Sequence, residues 1–262
     1  MTPRKSLLNR LAKYLREITI IVIGILGAFS LNSWGEQVKR KRMEQDIMQQ
    51  VHLELQNNLT DLENDYSLHR TALFSHFKVD KYINGQTDYR DSLIFDFYWI
   101  TRDEYIFPNT SGYENLKSIG LDIVQNDTLR SLISIVYNNN FPRLTRGKTL
   151  NPDISEYLTP FYKKHFTTNR DTSFKYKFVY GKEKTEIIYP YKLTASDYYF
   201  IGYIPLDREA LRRNTEFHFL LENVKDFRKY KHRFYFNCIR NVERLMKMIE
   251  RNYPEVLEDS EE

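Results

Sequence analysis

Eighteen consecutive positions, 18–35, carry no charged residue, and basic clusters stand on either side of them. At about 1.5 Å per residue they rise roughly 27 Å, against a bilayer hydrocarbon core of about 30 Å. Ile18, Ile21, Val22, Ile25, Leu26 and Phe29 supply the apolar surface, and Trp34 and Tyr14 stand at the two ends like an interfacial aromatic belt. The pattern predicts a transmembrane helix over 18–34. A buried core helix would rarely carry basic clusters at both ends. A cleaved signal peptide would use Arg4, Lys5, Arg10, Lys13 and Arg16 as its basic start and Ala28-Phe29-Ser30 as its small-residue site. The helical pattern continues without a break after Trp34, which favours a retained span. Gly24 and Ala28 form a small-xxx-small pair at which two spans can approach closely, so a homodimer is an open reading.

Before the span, 1–17 reads as a basic amphipathic lead-in, with Leu7, Leu8, Leu11 and Leu15 at helical spacing. After it, 36–254 reads as one mainly helical domain. From Glu36 to Lys81, Ile47, Val51, Leu55, Leu59, Leu62, Tyr66, His69, Leu73 and Phe77 recur at steps of three or four. The mean step, about 3.75, exceeds the 3.5 of a heptad coiled coil, so a helix packed within its own domain is expected ahead of a dimeric coiled coil.

Asp91–Ile106 reads as a buried aromatic helix, broken by Pro108, Asn109 and Gly112. Tyr113–Ser118 is a short helix stopped near Gly120. Asn126-Asp127 is an N-cap for Thr128–Tyr137, ended by Asn138-Asn139-Asn140 and Pro142. Pro152–His165 is another short helix. Between Ser173 and Tyr191, Phe174, Tyr176, Phe178 and Tyr180 alternate with a period of two, which predicts a strand turning at Gly181 and pairing back over Thr185–Tyr189. Tyr198–Ile204 is a third strand or an apolar loop. From Asp207 a long helix runs to Pro254 as the antiparallel partner of Glu36–Lys81, and the acidic tail 255–262 is expected to fray. The fold class expected is mainly α: a transmembrane helix, a helical bundle with two long antiparallel helices, and a small β-hairpin insert.

Composition adds little that redirects this picture. Of 262 residues, 41% are hydrophobic and 28% charged, the balance of a folded chain, and the net charge of +4 comes largely from the flanks of the span. Those flanks would meet anionic headgroups, so the lipid bilayer is the expected first partner. Five Lys or Arg precede the span and four, Lys39 to Arg42, follow it. This slight bias, with a basic start, predicts an N-terminus inside and the domain outside the cytoplasmic membrane. A single cysteine, Cys238, excludes an intrachain disulfide and reads as a buried, inert thiol.

No nucleotide-binding glycine loop or nucleophile elbow occurs, and no cofactor is implied. Six histidines (His52, His69, His76, His165, His218, His232) include one pair seven apart, His69 and His76, where a helical metal pair wants i,i+4. Asp96, Asp103, Glu104 and Asp122 are carboxylates without a catalytic pattern, so no catalytic or metal residue is assigned. Asn58-Leu59-Thr60 fits a glycosylation sequon, but its place on a helical face makes it a chance match. The sharpest polar feature is Lys225–Arg240, where Arg228, Lys229, Lys231 and Arg233 alternate with aromatics. Such a stretch can hold phosphates and stack bases. The plainer reading makes the aromatics a core stripe and the bases its solvated face, and nucleic acid is not expected.

The chain resembles a bacterial domain-of-unknown-function family, number 6090, of single-span membrane proteins. The resemblance rests on a carboxylate leading into the Ile/Val-rich segment, then Gly24-Ile25-Leu26, Ala28, Leu31-Asn32, Trp34 and Glu36. A second block comprises Tyr113, Leu116, Lys117-Ser118, Gly120, Asn126-Asp127 and Leu129-Arg130, and the long last helix is a vaguer third. Arg16, Gly35 and Gly27 depart from the family pattern. The resemblance implies a membrane anchor with a helical extracytoplasmic domain and no activity. The function expected is a non-enzymatic sensor, scaffold or interaction domain with a protein or envelope partner. The alternatives are a cytoplasmic nucleic-acid or lipid-surface binder and an enzyme.

Overall fold

The structure, a computed structural model, describes residues 3–146, 152–169, 177–179, 186–188 and 202–260. Its axis is one uninterrupted helix, α1 (Pro3–Ile83), which joins the basic lead-in, the apolar segment and the first helix of the domain. At about 1.5 Å per residue it extends roughly 120 Å. Neither a proline nor a turn residue interrupts the sequence between Trp34 and Glu36 except Gly35, and one glycine costs a helix only about 1 kcal/mol.

Three short helices follow: α2 (Leu93–Trp99), α3 (Ser111–Ile119) and α4 (Asp127–Ile135). A wide turn over Val136–Asn140 leads into α5 (Phe141–Leu144), and α6 (Ile154–His165) precedes strand β1 (Phe166–Thr168). Strands β2 (Lys177–Val179) and β3 (Glu186–Ile188) pair antiparallel, and β4 (Tyr203–Pro205) pairs antiparallel with β1. Helix α7 (Arg208–Arg213) and the long α8 (Thr215–Asn252) complete the order, followed by a 3-10 segment, Pro254–Ser260.

The long pair is antiparallel. Tyr253 just past the end of α8 meets Glu44, Glu250 meets His52, Tyr235 meets Asp65, and Arg228 meets His69. Buried positions on α1 include Met48, Val51, Leu55, Asn58, Leu62, His69, Ala72, His76, Val79 and Ile83, with others such as Ile47, His52, Glu54 and Tyr82 turned towards the short helices and loops. On α8 they include Phe217, Leu221, Val224, Arg228, Lys231, Tyr235, Cys238, Val242, Leu245 and Ile249. With part-buried Asp65 between Leu62 and His69, steps of three and four alternate along these positions on both helices, so this seam is heptad-spaced, the period that keeps two helices in contact along their length. The expected step of 3.75 is therefore corrected. Leu73 is only part-buried and Phe77 is exposed, because Ala72 and His76 occupy the seam.

Two apolar cores flank the middle of this pair. The span-proximal core joins Ile47, Val51 and Leu55 to Leu116, Leu129, Val136 and Leu245. The distal core joins Val79 and Ile83 to Phe97, Leu158, Phe161 and Phe217. Short helices lock onto α1 through its own acids. Glu54, at the start of α3, accepts from the Gly112 amide at 2.7 Å and from the Tyr137 hydroxyl at 2.5 Å. Glu44 accepts from the Gln125 amide and the Tyr253 hydroxyl. A Cβ on Gly112 would stand 3.2 Å from the backbone of Gln50 and Val51, so α3 approaches α1 closely enough that a larger residue would have to push the two apart by a few tenths of an ångström.

Several expectations are corrected in detail. The helix expected over Asp91–Ile106 stops at Trp99, because side chains from the long helices take the carbonyls of Ile100, Arg102 and Glu104. Asn138–Asn140 and Pro142 do not end the helix begun at Asn126. The chain passes through a π turn, and Pro142 sits in the first turn of α5, where its missing amide donor costs nothing. Asn126 caps α4 as expected, accepting from the Thr128 and Leu129 amides. The hairpin pairs Phe178 with Ile187, as the alternation implied, while its turn at Gly181 lies outside the described residues. The third strand pairs with β1 rather than with the hairpin. The acidic tail is helical to Ser260, held by buried Val256 and a Gln45–Glu255 hydrogen bond of 3.0 Å.

Candidate functional site

Between the two apolar cores the heptad seam turns polar. Asp65, His69 and His76 from α1 meet Arg228, Lys231 and Tyr235 from α8, and the segment after α2 closes over them. Arg228 is wholly buried and donates to the carbonyls of Ile100 (3.1 Å) and Arg102 (2.7 Å). Lys231 forms an ion pair with Asp103 in which neither side chain is more than 5% exposed. Asp103 also accepts from the Tyr105 hydroxyl (3.0 Å) and the Ile154 amide (2.8 Å), and the Lys231 ammonium lies 3.7 Å from the centre of the Tyr105 ring. One carboxylate thus fastens α8, the segment after α2 and the start of α6.

Electrostatics in the layer follow from burial. Desolvation, then the Arg228 and Lys231 charges, hold the His69 imidazole well below its usual pKa. Desolvation lowers Arg228 to about 10 and also lowers Lys231, with Asp103 opposing in both cases. Burial raises Asp65 to about 6 despite its hydrogen bond from Tyr235. His76 is fully buried, neither ring nitrogen has a hydrogen-bond partner among the described residues, and burial lowers it to about 3. Chemically, the layer is a set of buried charges and neutral imidazoles whose protonation is coupled to the contact between the long helices.

The sequence-predicted residues fall elsewhere. Ile18, Ile21, Val22, Ile25, Leu26, Phe29 and Trp34 all lie on α1 with side chains open, from 46% for Val22 to 72% for Phe29. Gly24 has no atom within 4 Å of a Cβ position, so nothing among the described residues covers its face; Ala28 is likewise exposed. Among the described residues α1 is the one helix with a stretch apolar and long enough to cross a membrane, and none of that stretch is buried.

The basic-aromatic segment Lys225–Arg240 divides in a way the plainer reading missed. Arg228 and Lys231 lie in the core seam rather than on the solvated face. Lys229 pairs with Asp226, and the Arg233 guanidinium lies over the Tyr230 ring. His69 and His76 share a face, as their spacing allowed, yet no group of three metal-ligating side chains is assembled among the described residues. Asn58 of the sequon is buried and exchanges two 2.8 Å hydrogen bonds with the backbone of Asn109. Cys238 is buried, and its thiol is raised to about 12. Asp96 accepts from Ser75 and Lys78, and Asp122 from Arg40, so the acids lie at separate places.

Together these features define a mainly α protein on a single long helix, open and apolar near one end and paired by heptads with α8 at the other. Residues 17–177 match a family of unknown function (DUF6090), and the chain belongs to that family. No curated protein and no solved structure matches it. The family blocks are largely structural here. Tyr113 stacks on Tyr137 at 4.4 Å, Leu116 and Leu129 are buried, Gly120 takes a φ of 112° and Asn126 caps α4. The match ends before α8, so Arg228, Lys231 and Tyr235 lie beyond it, as does the vaguer third block.

Proposed function

We propose that this protein is a non-enzymatic, membrane-anchored module of a bacterial envelope. Its N-terminus lies inside the cytoplasmic membrane, and its helical head binds a partner protein or envelope component outside, as a sensor or scaffold. The continuity of α1 carries this reading. The exposed apolar stretch and the seam of the head belong to one helix without a joint. A tilt or rotation of the span would therefore reach the polar layer through a rigid rod rather than through a flexible linker. The family match, to a family of unknown function, adds no activity.

A cytoplasmic binder of nucleic acid is the competing reading, and burial of Arg228 and Lys231 removes two of its four cations. Alkaline phosphatase fused at the C-terminus should be active, and the protein should stay with membranes at high pH. Fluorescence from a reporter that matures only in the cytoplasm overturns the orientation; release at high pH overturns the anchor. Crosslinking in intact membranes then identifies the partner.

A further inference from the structure

We propose that the groove between α1 and the turn after α3 seats the headgroup of an anionic phospholipid, so that the head rests on the bilayer as well as hanging from it. This deepens the anchored reading and rests on it. The groove encloses about 280 Å³ and is lined by Glu36, Lys39 and Met43 of α1 together with Ile119, Asp122 and Ile123. Its level is set by the helix. At about 1.5 Å per residue, Glu36 to Met43 stand roughly 3–14 Å beyond Trp34. The headgroup region occupies about 5–8 Å on each face of a bilayer core of about 30 Å. Lys39, about 7.5 Å beyond Trp34, therefore stands at headgroup depth, and the groove continues past it towards water at Met43.

Its chemistry suits a phospholipid rather than a water-soluble anion. Ile119 is 45% exposed and Met43 37%, an apolar wall that the carbon atoms of a headgroup would cover. Arg40 binds the Asp122 carboxylate at 2.6 Å and the Asp122 carbonyl at 3.0 Å, which neutralises that acid and fixes the turn on the helix. Glu36 accepts from Asn32 at 3.2 Å. Lys39 is exposed and makes no ion pair among the described residues, so its ammonium is open to a phosphate, and Arg42, three residues on, is also exposed.

The test uses the full chain in nanodiscs of phosphatidylglycerol mixed equally with phosphatidylcholine. Native mass spectrometry should find phosphatidylglycerol retained over phosphatidylcholine, with all the basic residues of the flanks contributing. Lys39→Glu, an exposed change that leaves the cores alone, should cut that preference by roughly fivefold or more, the value of one lysine at a headgroup. A nitroxide at Ile119→Cys should meet lipid-dissolved oxygen more than a water-soluble nickel chelate, and one at Phe219→Cys, on the distal part of α8, the reverse. A preference unchanged by Lys39→Glu, or equal nickel access at both sites, overturns the seat while the protein still resists extraction at high pH. Release at high pH overturns the anchor and the seat together.

Discussion

Arg228 lays its guanidinium against the ring of His69, with Nη1 3.3 Å from Nδ1 and both side chains closed to water. The other ring nitrogen of His69 faces the Glu104 carbonyl at 3.1 Å, and a carbonyl can only accept. The proton therefore sits on Nε2, and Nδ1 offers its lone pair to the guanidinium. One contact between the long helices thus fixes a tautomer, a charge state and the path of the segment after α2. Burial and the Arg228 charge both oppose protonation of His69, so the layer is built around a neutral imidazole.

Lys231→Met should cost about 3–5 kcal/mol, because it strands the buried Asp103 carboxylate without its cation. Adding Asp103→Asn should recover much of that loss, since no unpaired charge then remains and an acceptor oxygen is kept. Urea unfolding of the wild type, both single variants and the double in micelles gives the coupling directly. Additive losses would mean that the pair is not the unit that matters.

Stability should fall on acidification. The unfolded histidine titrates near 6.5, while buried His76 titrates near 3 and His69 and His232 are also lowered. Between those values the unfolded chain binds more protons, so stability present above pH 6.5 is lost as pH drops. Around His76 the Arg228, Lys225 and Lys229 charges add to the depression and Asp226 opposes it. Asp65 acts the other way. Its folded pKa of about 6 favours the fold below 3.8, an advantage lost as pH rises through 6. His76→Leu removes one acid-sensitive group and should flatten the slope by about 1–2 kcal/mol between pH 6.5 and 5. At neutral pH it should be neutral or stabilising, because two unpartnered buried nitrogens disappear. Urea midpoints at three pH values decide it; an unchanged slope rejects the role of His76.

The apolar stripe, the Asn126 cap and the hairpin were legible in the sequence because each obeys a local rule. The heptad register was not. Asn58, Asp65, His76, Arg228 and Lys231 occupy seam positions where a pattern reader expects aliphatics, so the stripe was drawn through Leu73 and Phe77 instead. Four of these five also hid the polar layer. Partners across it lie up to 170 positions apart, as with Asp65 and Tyr235, a separation that no spacing motif encodes. The end of α2 was missed for a related reason: Arg228 and His69 capture its following carbonyls only after the long helices have paired.

Gly112→Ala should destabilise the span-proximal core by about 1–3 kcal/mol through overpacking. The new methyl meets the α1 backbone at 3.2 Å, and backbone cannot rotate aside as a side chain can. Moving α3 away would also lengthen the 2.7 Å hydrogen bond from Gly112 to Glu54. Thermal unfolding followed by circular dichroism measures the loss. A melting temperature equal to wild type would show that α3 is not held as closely as the geometry requires.

Removing residues 1–35 should leave a head that folds on its own. Every described side chain from Arg16 to Trp34 is exposed or, at Ser33, part-buried, and the first fully buried side chain on α1 is Glu44. Both cores and the polar layer draw only on residues from Ile47 onward, so the deletion removes no core contact. What it does remove is helix on the N-terminal side of Glu36, and a helix end created there exposes amides that solvent can satisfy. The truncated chain should be monomeric, highly helical by circular dichroism, and within about 1 kcal/mol of the full chain in urea, since a frayed exposed turn contributes little. Loss of the cooperative transition would mean that the apolar stretch is part of the folded core rather than a tether attached to it.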